Sequence, residues 1–226
     1  LRKLEIGVTT LLGAAEVHEL AQQLGIQPTK KLGQNFVIDP NTIRRIVAAA
    51  KLNPQDRVVE IGPGLGSLTL GLLEVAAEVI AIEIDKKLAG ALEQTISKHA
   101  PGKKFHLVTD DALRVQTLPT AGTALVANLP YNISVPVLLH FLESFSEIKK
   151  GLVLVQAEVA HRLVAVPGSK TYGIPSLKLA WYATSHLAGN VGRNVFWPVP
   201  NVDSALVYFE RRSESLGSEE LRLSVF

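Results

Sequence analysis

The chain contains 226 residues, of which 47% are hydrophobic and 19% are charged, and its formal net charge is +2 at pH 7. This composition is typical of a globular protein with one substantial core, and no apolar run reaches the ~18 residues that a membrane span needs. Because the chain has no cysteine, disulfides, a thiolate nucleophile and cysteine-ligated zinc are excluded.

The N-terminal part is predicted to be a helix followed by a basic arm. Apolar residues recur at helical spacing over Leu11–Ile26, and we assign 1–27 to a helical extension without a signal-peptide pattern, so a cytoplasmic protein is expected. The arm reads "PTKKLGQNFVIDP". Its last two residues, Asp39 and Pro40, predict an N-cap and a first helical residue, and hence a helix over 41–51.

Short β-branched runs then alternate with helical stretches, which is typical of a parallel sheet covered on both faces. The predicted strands are 57–62, 78–85, 104–110, 123–128 and 151–156. Two further strands, 185–193 and 203–212, lack a crossover helix between them and predict an antiparallel hairpin at the sheet edge. Near the end of the chain, "LGSEELRLSVF" alternates charged and apolar residues as though a helix were beginning.

A glycine-rich loop, "EIGPGLGSLTL", follows the first strand, where an open α/β sheet binds nucleotide-like ligands. Its glycines stand at 62, 64 and 66, so it matches neither the dinucleotide fingerprint nor the phosphate loop. A purely structural glycine turn is the alternative interpretation. The loop alone therefore does not identify a ligand.

The carboxyl ends of the predicted strands collect acidic residues. Glu60 ends the first strand, Glu83 and Asp85 end the second, and Asp110 and Asp111 end the third. These charges would repel a pyrophosphate, whereas a cationic ligand with ribose hydroxyls and an adenine would find an acceptor at each step. S-adenosylmethionine has these properties, with Glu83 at the position that holds ribose hydroxyls.

The fourth strand ends in "NLPY", which predicts a pocket for a base. Asn128 reaches the same sheet edge, and Pro130 keeps Leu129 extended. The Asn128 side-chain oxygen and the Leu129 carbonyl could accept the two hydrogens of an exocyclic amino group, while Tyr131 offers a ring on which a flipped-out base stacks. A strand-terminating turn with a buried tyrosine is the alternative interpretation.

At this point the sequence resembles the KsgA family of ribosomal RNA adenine dimethyltransferases. The resemblance covers nearly the whole chain and rests on "LGQNFVID", "EIGPGLGSLT", "AIEID", "NLPYNIS", "VQAEVAHR" and "FWPVPNVDS" in family order. It implies a Rossmann-like class I methyltransferase fold over 28–212, with a mostly parallel seven-stranded sheet. It also implies a small helical C-terminal domain, of which 213–226 would be at most the start. The implied reaction is dimethylation of two adjacent adenines near the 3′ end of the 16S rRNA in the small ribosomal subunit.

The resemblance also implies roles for individual residues. The predicted contacts to S-adenosylmethionine are Asn35, Val37, Gly62, Gly64, Glu83, Asp111 and Asn128. The predicted contacts to the adenine are Asn128, Leu129, Pro130 and Tyr131, with Phe196 closing the other face of the base. Asp111 precedes a small residue, as the acid of the family does, and the adjacent Asp110 remains the alternative.

Four cations flank this predicted site and are candidates for contacts to RNA phosphates, namely Lys30, Lys31, Arg162 and Lys170. The histidines show no metal-binding spacing, so no metal is expected. A monomer without membrane contact is the expected state.

Three alternatives remain from the sequence. Macrolide-resistance methyltransferases share the fold and act on an adenine of 23S rRNA, although "GPGLGSLT" and Leu129 look more like the small-subunit group. A non-catalytic ribosome-assembly or RNA-binding factor is a second possibility, against which intact Glu83, Asn128 and Tyr131 argue. A nicotinamide dehydrogenase would need a loop compatible with phosphate charge, and the acidic edge argues against it.

Overall fold

The computed structural model describes residues 9–26, 35–214 and 216–226. The helices are α1 (Ala14–Gln23), α2 (Pro40–Ala49), α3 (Ser67–Val75), α4 (Lys86–His99), α5 (Ser134–Ser144), α6 (Ala157–Leu163), α7 (Ile174–Tyr182) and α8 (Glu219–Val225). The strands are β1 (Phe36–Val37), β2 (Arg57–Ile61), β3 (Glu78–Ile82), β4 (Phe105–Val108), β5 (Ala124–Asn128), β6 (Lys150–Gln156), β7 (Ala183–Val191), β8 (Phe196–Trp197) and β9 (Ser204–Arg211).

Seven strands form one sheet in the order β4-β3-β2-β5-β6-β9-β7. Strands β2 to β6 pair in parallel, whereas β9 pairs antiparallel with both β6 and β7. The predicted mostly parallel seven-stranded sheet with an antiparallel edge hairpin is therefore confirmed. Because β2, β3 and β5 are central and parallel, their carboxyl ends meet at one edge of the sheet.

Helices cover both faces of the sheet because successive strand residues point to opposite sides. In β2, Val58 packs into a core layer that also contains α1 to α4, while Val59 packs into a second layer that contains α5 to α7. Both valines are fully buried. The near-continuous apolar strands of the sequence are explained by this two-sided burial.

Helix α2 begins where the sequence indicates. Asp39 accepts hydrogen bonds from the backbone N–H groups of Asn41 and Thr42, and Pro40 occupies the first helical turn. Both features stabilise a helix start, since they satisfy N–H groups that have no partner within the helix. The predicted N-cap is confirmed.

A second, two-stranded sheet was not predicted. Strand β1 of the arm pairs antiparallel with β8, so that Phe36 faces Trp197 and Val37 faces Phe196. The Ile38 N–H also donates to the Val195 carbonyl at 2.8 Å. The arm is thereby joined to the segment that precedes β9.

Within the described ranges, no helix is both long and apolar enough to cross a membrane.

Candidate functional site

One cavity of about 290 Å³ lies at the carboxyl ends of β2, β3 and β5 and beneath strand β1. Ten of the residues that were predicted to hold a methyl donor or a base line it. They are Asn35, Val37, Gly62, Gly64, Glu83, Asp111, Asn128, Leu129, Pro130 and Tyr131. The structure therefore brings together segments that are spread over almost a hundred positions of the chain.

The glycine loop needs glycine for two physical reasons. Gly62, Gly64 and Gly66 all have positive φ values, of 66°, 58° and 94°, which are strained for side chains with a Cβ atom. A Cβ on Gly64 would also lie 2.7 Å from the ring of Phe36. The loop can thus pass directly under β1, and Gly66 serves as the N-cap of α3.

Glu83 lines the cavity and accepts hydrogen bonds from two backbone donors. Its Oε2 accepts from the Gly64 N–H at 3.1 Å and its Oε1 accepts from the Asp85 N–H at 3.0 Å. The side chain is only 5% exposed, and burial raises the pKa of this carboxyl. The glycine loop and the end of β3 are therefore connected through one carboxylate that faces a prospective ligand.

Glu60 is the most deeply buried carboxyl of the cavity. It is 1% exposed, and its Oε2 has no hydrogen-bond partner among the described residues. Burial, with a smaller contribution from the nearby Glu83 charge, raises the pKa of Glu60 to about 8. An acceptor of this kind is costly to bury unless a donor or a cation meets it.

Asp110 and Asp111 both line the cavity. Asp110 accepts from the Asp111 N–H at 2.7 Å, and Asp111 accepts from the Leu113 N–H at 3.0 Å. The Asp111 Oδ2 also lies 3.8 Å from the Arg114 Nε. The assignment of Asp111 to the adenine of the donor stays a prediction.

Asn128 is oriented by the arm. Its Nδ2 donates to the Asn35 backbone carbonyl at 2.9 Å, which assigns the amide orientation from the hydrogen-bond network. The side-chain oxygen is thereby left as the acceptor of this amide. The neighbouring Leu129 donates its N–H to the Leu154 carbonyl at 3.1 Å, which continues the β5–β6 pairing to the start of the turn.

Tyr131 is half-buried and is tethered at its tip. Its hydroxyl lies 2.8 Å from the Ser204 Oγ, and burial raises the pKa of the phenol. Ser204 was not among the predicted site residues. It stands in the "FWPVPNVDS" string, but nothing in the spacing of that string indicates that its hydroxyl reaches the turn after β5.

Phe196 is buried next to strand β1. It is 1% exposed, packs in the core and pairs with Val37 across the small sheet, and it is not one of the described residues that line the cavity. In this structure it pairs with Val37 of strand β1 in the arm. Its predicted contact with the second face of a base stays a prediction.

The four candidate RNA contacts lie either outside the described residues or outside the cavity. Lys30 and Lys31 lie outside the described residues. Arg162 is exposed on α6 and pairs with Glu158 at 2.6 Å, and Lys170 is exposed between α6 and α7. Neither lines the described cavity. Among the described residues, no group of three or more His, Asp or Glu side chains could hold a metal ion.

Comparison with known sequences extends these observations. A family model described as "Ribosomal RNA adenine dimethylase" matches residues 26–226. The "Ribosomal RNA small subunit methyltransferase A" of Streptomyces coelicolor is 60% identical over 219 residues, which cover 96% of this chain and 77% of the relative. The protein of the same name from Thermobifida fusca is 60% identical over 89% of this chain and 71% of the relative.

Solved structures with the same fold include two methyltransferases. A dimethyladenosine transferase from Plasmodium falciparum superposes with a TM-score of 0.72 at 28% identity, over 80% of this chain and 65% of that one. The 23S rRNA methyltransferase ErmE superposes with a TM-score of 0.70 at 32% identity, over 82% of this chain and 73% of that one. Both are less similar in sequence to this chain than the small-subunit enzymes are.

Proposed function

Because this chain belongs to the ribosomal RNA adenine dimethylase family, we propose that it dimethylates two adjacent adenines near the 3′ end of 16S rRNA. The methyl groups come from S-adenosylmethionine, and the substrate is the small ribosomal subunit or a precursor of it. The observation that carries this proposal is that acidic strand ends and the Asn128–Tyr131 turn line one and the same cavity. We further propose that the protein acts in the cytoplasm during ribosome biogenesis and that it acts as a monomer.

The chemistry of the cavity fits a cationic donor. Among the described residues, the Glu60 Oε2 and the Ser67 hydroxyl are both buried and have no hydrogen-bond partner. Glu83 is positioned beside the glycine loop, where it can accept from ribose hydroxyls. When bound, S-adenosylmethionine supplies a methyl group on a positively charged sulfur. The residues that would hold it are Glu83, Asp111 and the backbone of the glycine loop.

The residues of the turn prepare the amino group for attack. An exocyclic amino group of adenine is a poor nucleophile because its lone pair is delocalised into the ring. If the Asn128 Oδ1 and the Leu129 carbonyl accept its two hydrogens, the nitrogen becomes more tetrahedral and its lone pair is directed away from the ring. The same acceptors stabilise the positive charge that develops on nitrogen, so they act mainly in the transition state.

No strong general base is needed for this reaction. The alkylated nitrogen is cationic, and its proton is acidic enough to leave to solvent or to a neighbouring carbonyl. After the first transfer the monomethyl amine still has one hydrogen, so it can bind again and lose that hydrogen in a second round. The chain therefore contributes positioning and fixed acceptors more than proton transfer.

A chain of this fold could instead act on 23S rRNA, as the structural similarity to ErmE illustrates. Transfer of labelled methyl groups to small subunits purified from unmodified cells distinguishes the two substrates. We expect label on the small subunit and none on large subunits treated in parallel, with Asn128→Ala as the inactive control. Label confined to large subunits would overturn the assignment.

A further inference from the structure

The contact between Tyr131 and Ser204 joins two distant parts of the chain at the edge of the cavity. Tyr131 follows β5, whereas Ser204 is the first residue of β9, and β6 lies between these strands in the sheet. The two hydroxyl oxygens are 2.8 Å apart, which is a normal distance for an O–H···O hydrogen bond. The phenol therefore reaches across the end of β6 to a residue outside the base-binding turn.

Ser204 is a rigid anchor for this hydrogen bond. It is fully buried and pairs with Gln156 of β6 on one side and with Val191 of β7 on the other. The preceding Asp203 accepts a hydrogen bond from the Ala157 N–H at 2.9 Å through its carbonyl. The backbone from which the serine hydroxyl projects is thus held by strands on both sides and by the start of α6.

The other end of Tyr131 is held by the turn itself. Its backbone carbonyl accepts from the Ser134 Oγ at 3.4 Å, and the Ile133 N–H donates to the Pro130 carbonyl at 3.2 Å. The aromatic ring is therefore fixed both at its Cα end and at its hydroxyl, while the side chain remains partly exposed at the cavity.

From this geometry we infer that Ser204 is a positioning residue for substrate RNA. It holds the Tyr131 ring in the orientation on which the target adenine stacks. This inference rests on the proposed function, because it assumes that a base enters the cavity. Ser204 is not one of the described residues that line the cavity, so its effect passes through the tyrosine.

A prepositioned ring reduces the entropy that is lost when a base binds, because the side chain is already restricted to one conformation. The benefit should appear in base capture. It should not appear in donor affinity, since Glu83 and the glycine loop are the residues proposed to hold the donor. Loss of the tether should therefore raise KM for small subunits about fivefold, with a smaller change in kcat.

A double-mutant cycle tests this inference. Ser204→Ala and Tyr131→Phe each remove the same hydrogen bond, and Tyr131→Phe keeps the stacking ring and leaves β9 unchanged. We expect similar KM increases for the two single variants and no further increase for the double variant, because the bond can be lost only once. The donor affinity of all three should stay within twofold of the wild type, about the usual additivity error.

Tyr208→Phe is the matched control. The Tyr208 hydroxyl donates to Glu210 at 2.7 Å in the same strand, β9, but lies away from the cavity. This variant should keep the wild-type KM for small subunits. An increase equal to that of Ser204→Ala would show that any lost hydroxyl in β9 has the same effect, and it would overturn the inference.

A second measurement does not depend on activity. The chain has four tyrosines, so the ring signals of ¹³C-tyrosine-labelled protein can be resolved by NMR. In Ser204→Ala the Tyr131 ring signal should shift and the ring should become more mobile, while the Tyr208 signal stays in place. An unchanged Tyr131 signal, or additive KM effects in the cycle, would overturn the positioning role. Wild-type protein that transfers no methyl group to small subunits would instead contradict the proposed function.

Discussion

At the residue scale, Asn128 combines a structural and a proposed chemical role in one side chain. Its amide nitrogen donates a hydrogen bond to the Asn35 carbonyl. The side-chain oxygen can then accept from the target amino group. Removing this oxygen should raise the barrier to transfer, because the acceptor acts on charge that develops in the transition state.

We therefore expect Asn128→Ala to lower the turnover rate by about 100-fold or more, with donor affinity within a few-fold of the wild type. Both methylation steps should be slowed, which mass spectrometry of the target adenines during a time course can measure. Tyr131→Ala is the comparison, since weaker base capture should let monomethyl adenine accumulate. A wild-type rate in Asn128→Ala would refute the mechanism.

Glu60 gives a pH dependence whose sign follows from its burial. Its pKa is raised from 4.5 to about 8 in the folded protein, so the folded state binds the proton more tightly than the unfolded chain. The contribution of Glu60 to the free energy of unfolding is then fully present below about pH 4.5 and is lost as the pH rises through about 8.

Glu60→Gln removes this titration and keeps the shape of the side chain. In the absence of donor, the variant should gain thermal stability relative to the wild type as the pH is raised from about 5 to about 8. Thermal unfolding across this range measures the gain. Parallel curves for the two proteins would show that Glu60 does not titrate in this window.

At the scale of elements, the small sheet of β1 and β8 forms a cover over the glycine loop. Phe36 stacks on Trp197 with ring centroids 6.2 Å apart, and a Cβ on Gly64 would touch the Phe36 ring. Trp197 also makes a T-shaped contact with His18 of α1, with ring centroids 5.0 Å apart. Helix α1 thus supports the cover through an aromatic series that ends at the loop.

Loss of the His18 ring should loosen this cover and weaken donor binding. Because an aromatic pair contributes about 0.5–1.5 kcal/mol beyond its buried area, we expect His18→Ala to raise the donor Kd about two- to tenfold. His18→Phe should restore affinity, since it keeps a ring against Trp197. Calorimetry measures both.

His186→Ala is the control for this experiment, because His186 packs against Tyr208 with a similar centroid distance of 5.2 Å but on the edge strand β7. Its donor affinity should equal that of the wild type. Equal losses in His18→Ala and His186→Ala would show that the series from α1 to the loop has no specific role.

At the scale of the whole molecule, the residues that line the cavity come from strands, loops and the arm, between Asn35 and Ile133. A ligand that binds only the folded state stabilises it by mass action, by about 2.7 kcal/mol at a concentration 100-fold above its Kd. S-adenosylmethionine should therefore raise the Tm of the whole domain in one cooperative transition. Differential scanning calorimetry with NAD as the comparison ligand measures this effect.

Glu83→Ala should abolish most of that increase, because it removes the acceptor that joins the glycine loop to the end of β3. An equal increase in Tm with NAD would contradict the proposal that the acidic edge selects a cationic donor over a pyrophosphate.

The sequence by itself determined the order and type of the main elements and the edge at which the ligand residues meet. Apolar periodicity separates strands from helices, and the Asp39-Pro40 pair marks the start of α2. Parallel strands deliver Glu83, Asp111 and Asn128 to one sheet edge. These features depend on local pattern and on general rules of α/β topology, so they can be inferred before any contact is known.

Only the tertiary structure decided which distant side chains support the site. The pairing of β1 with β8, the Asn128–Asn35 hydrogen bond and the Tyr131–Ser204 tether each join positions that are far apart in the chain. The buried position of Phe196 has the same origin. Such contacts depend on how the layers pack together. A hydroxyl or an aromatic ring can be seen in the sequence, but no periodic pattern in the sequence identifies the residue that it contacts. For this reason ten of the residues that line the cavity could be predicted from the sequence, whereas the contacts that hold them in place could not.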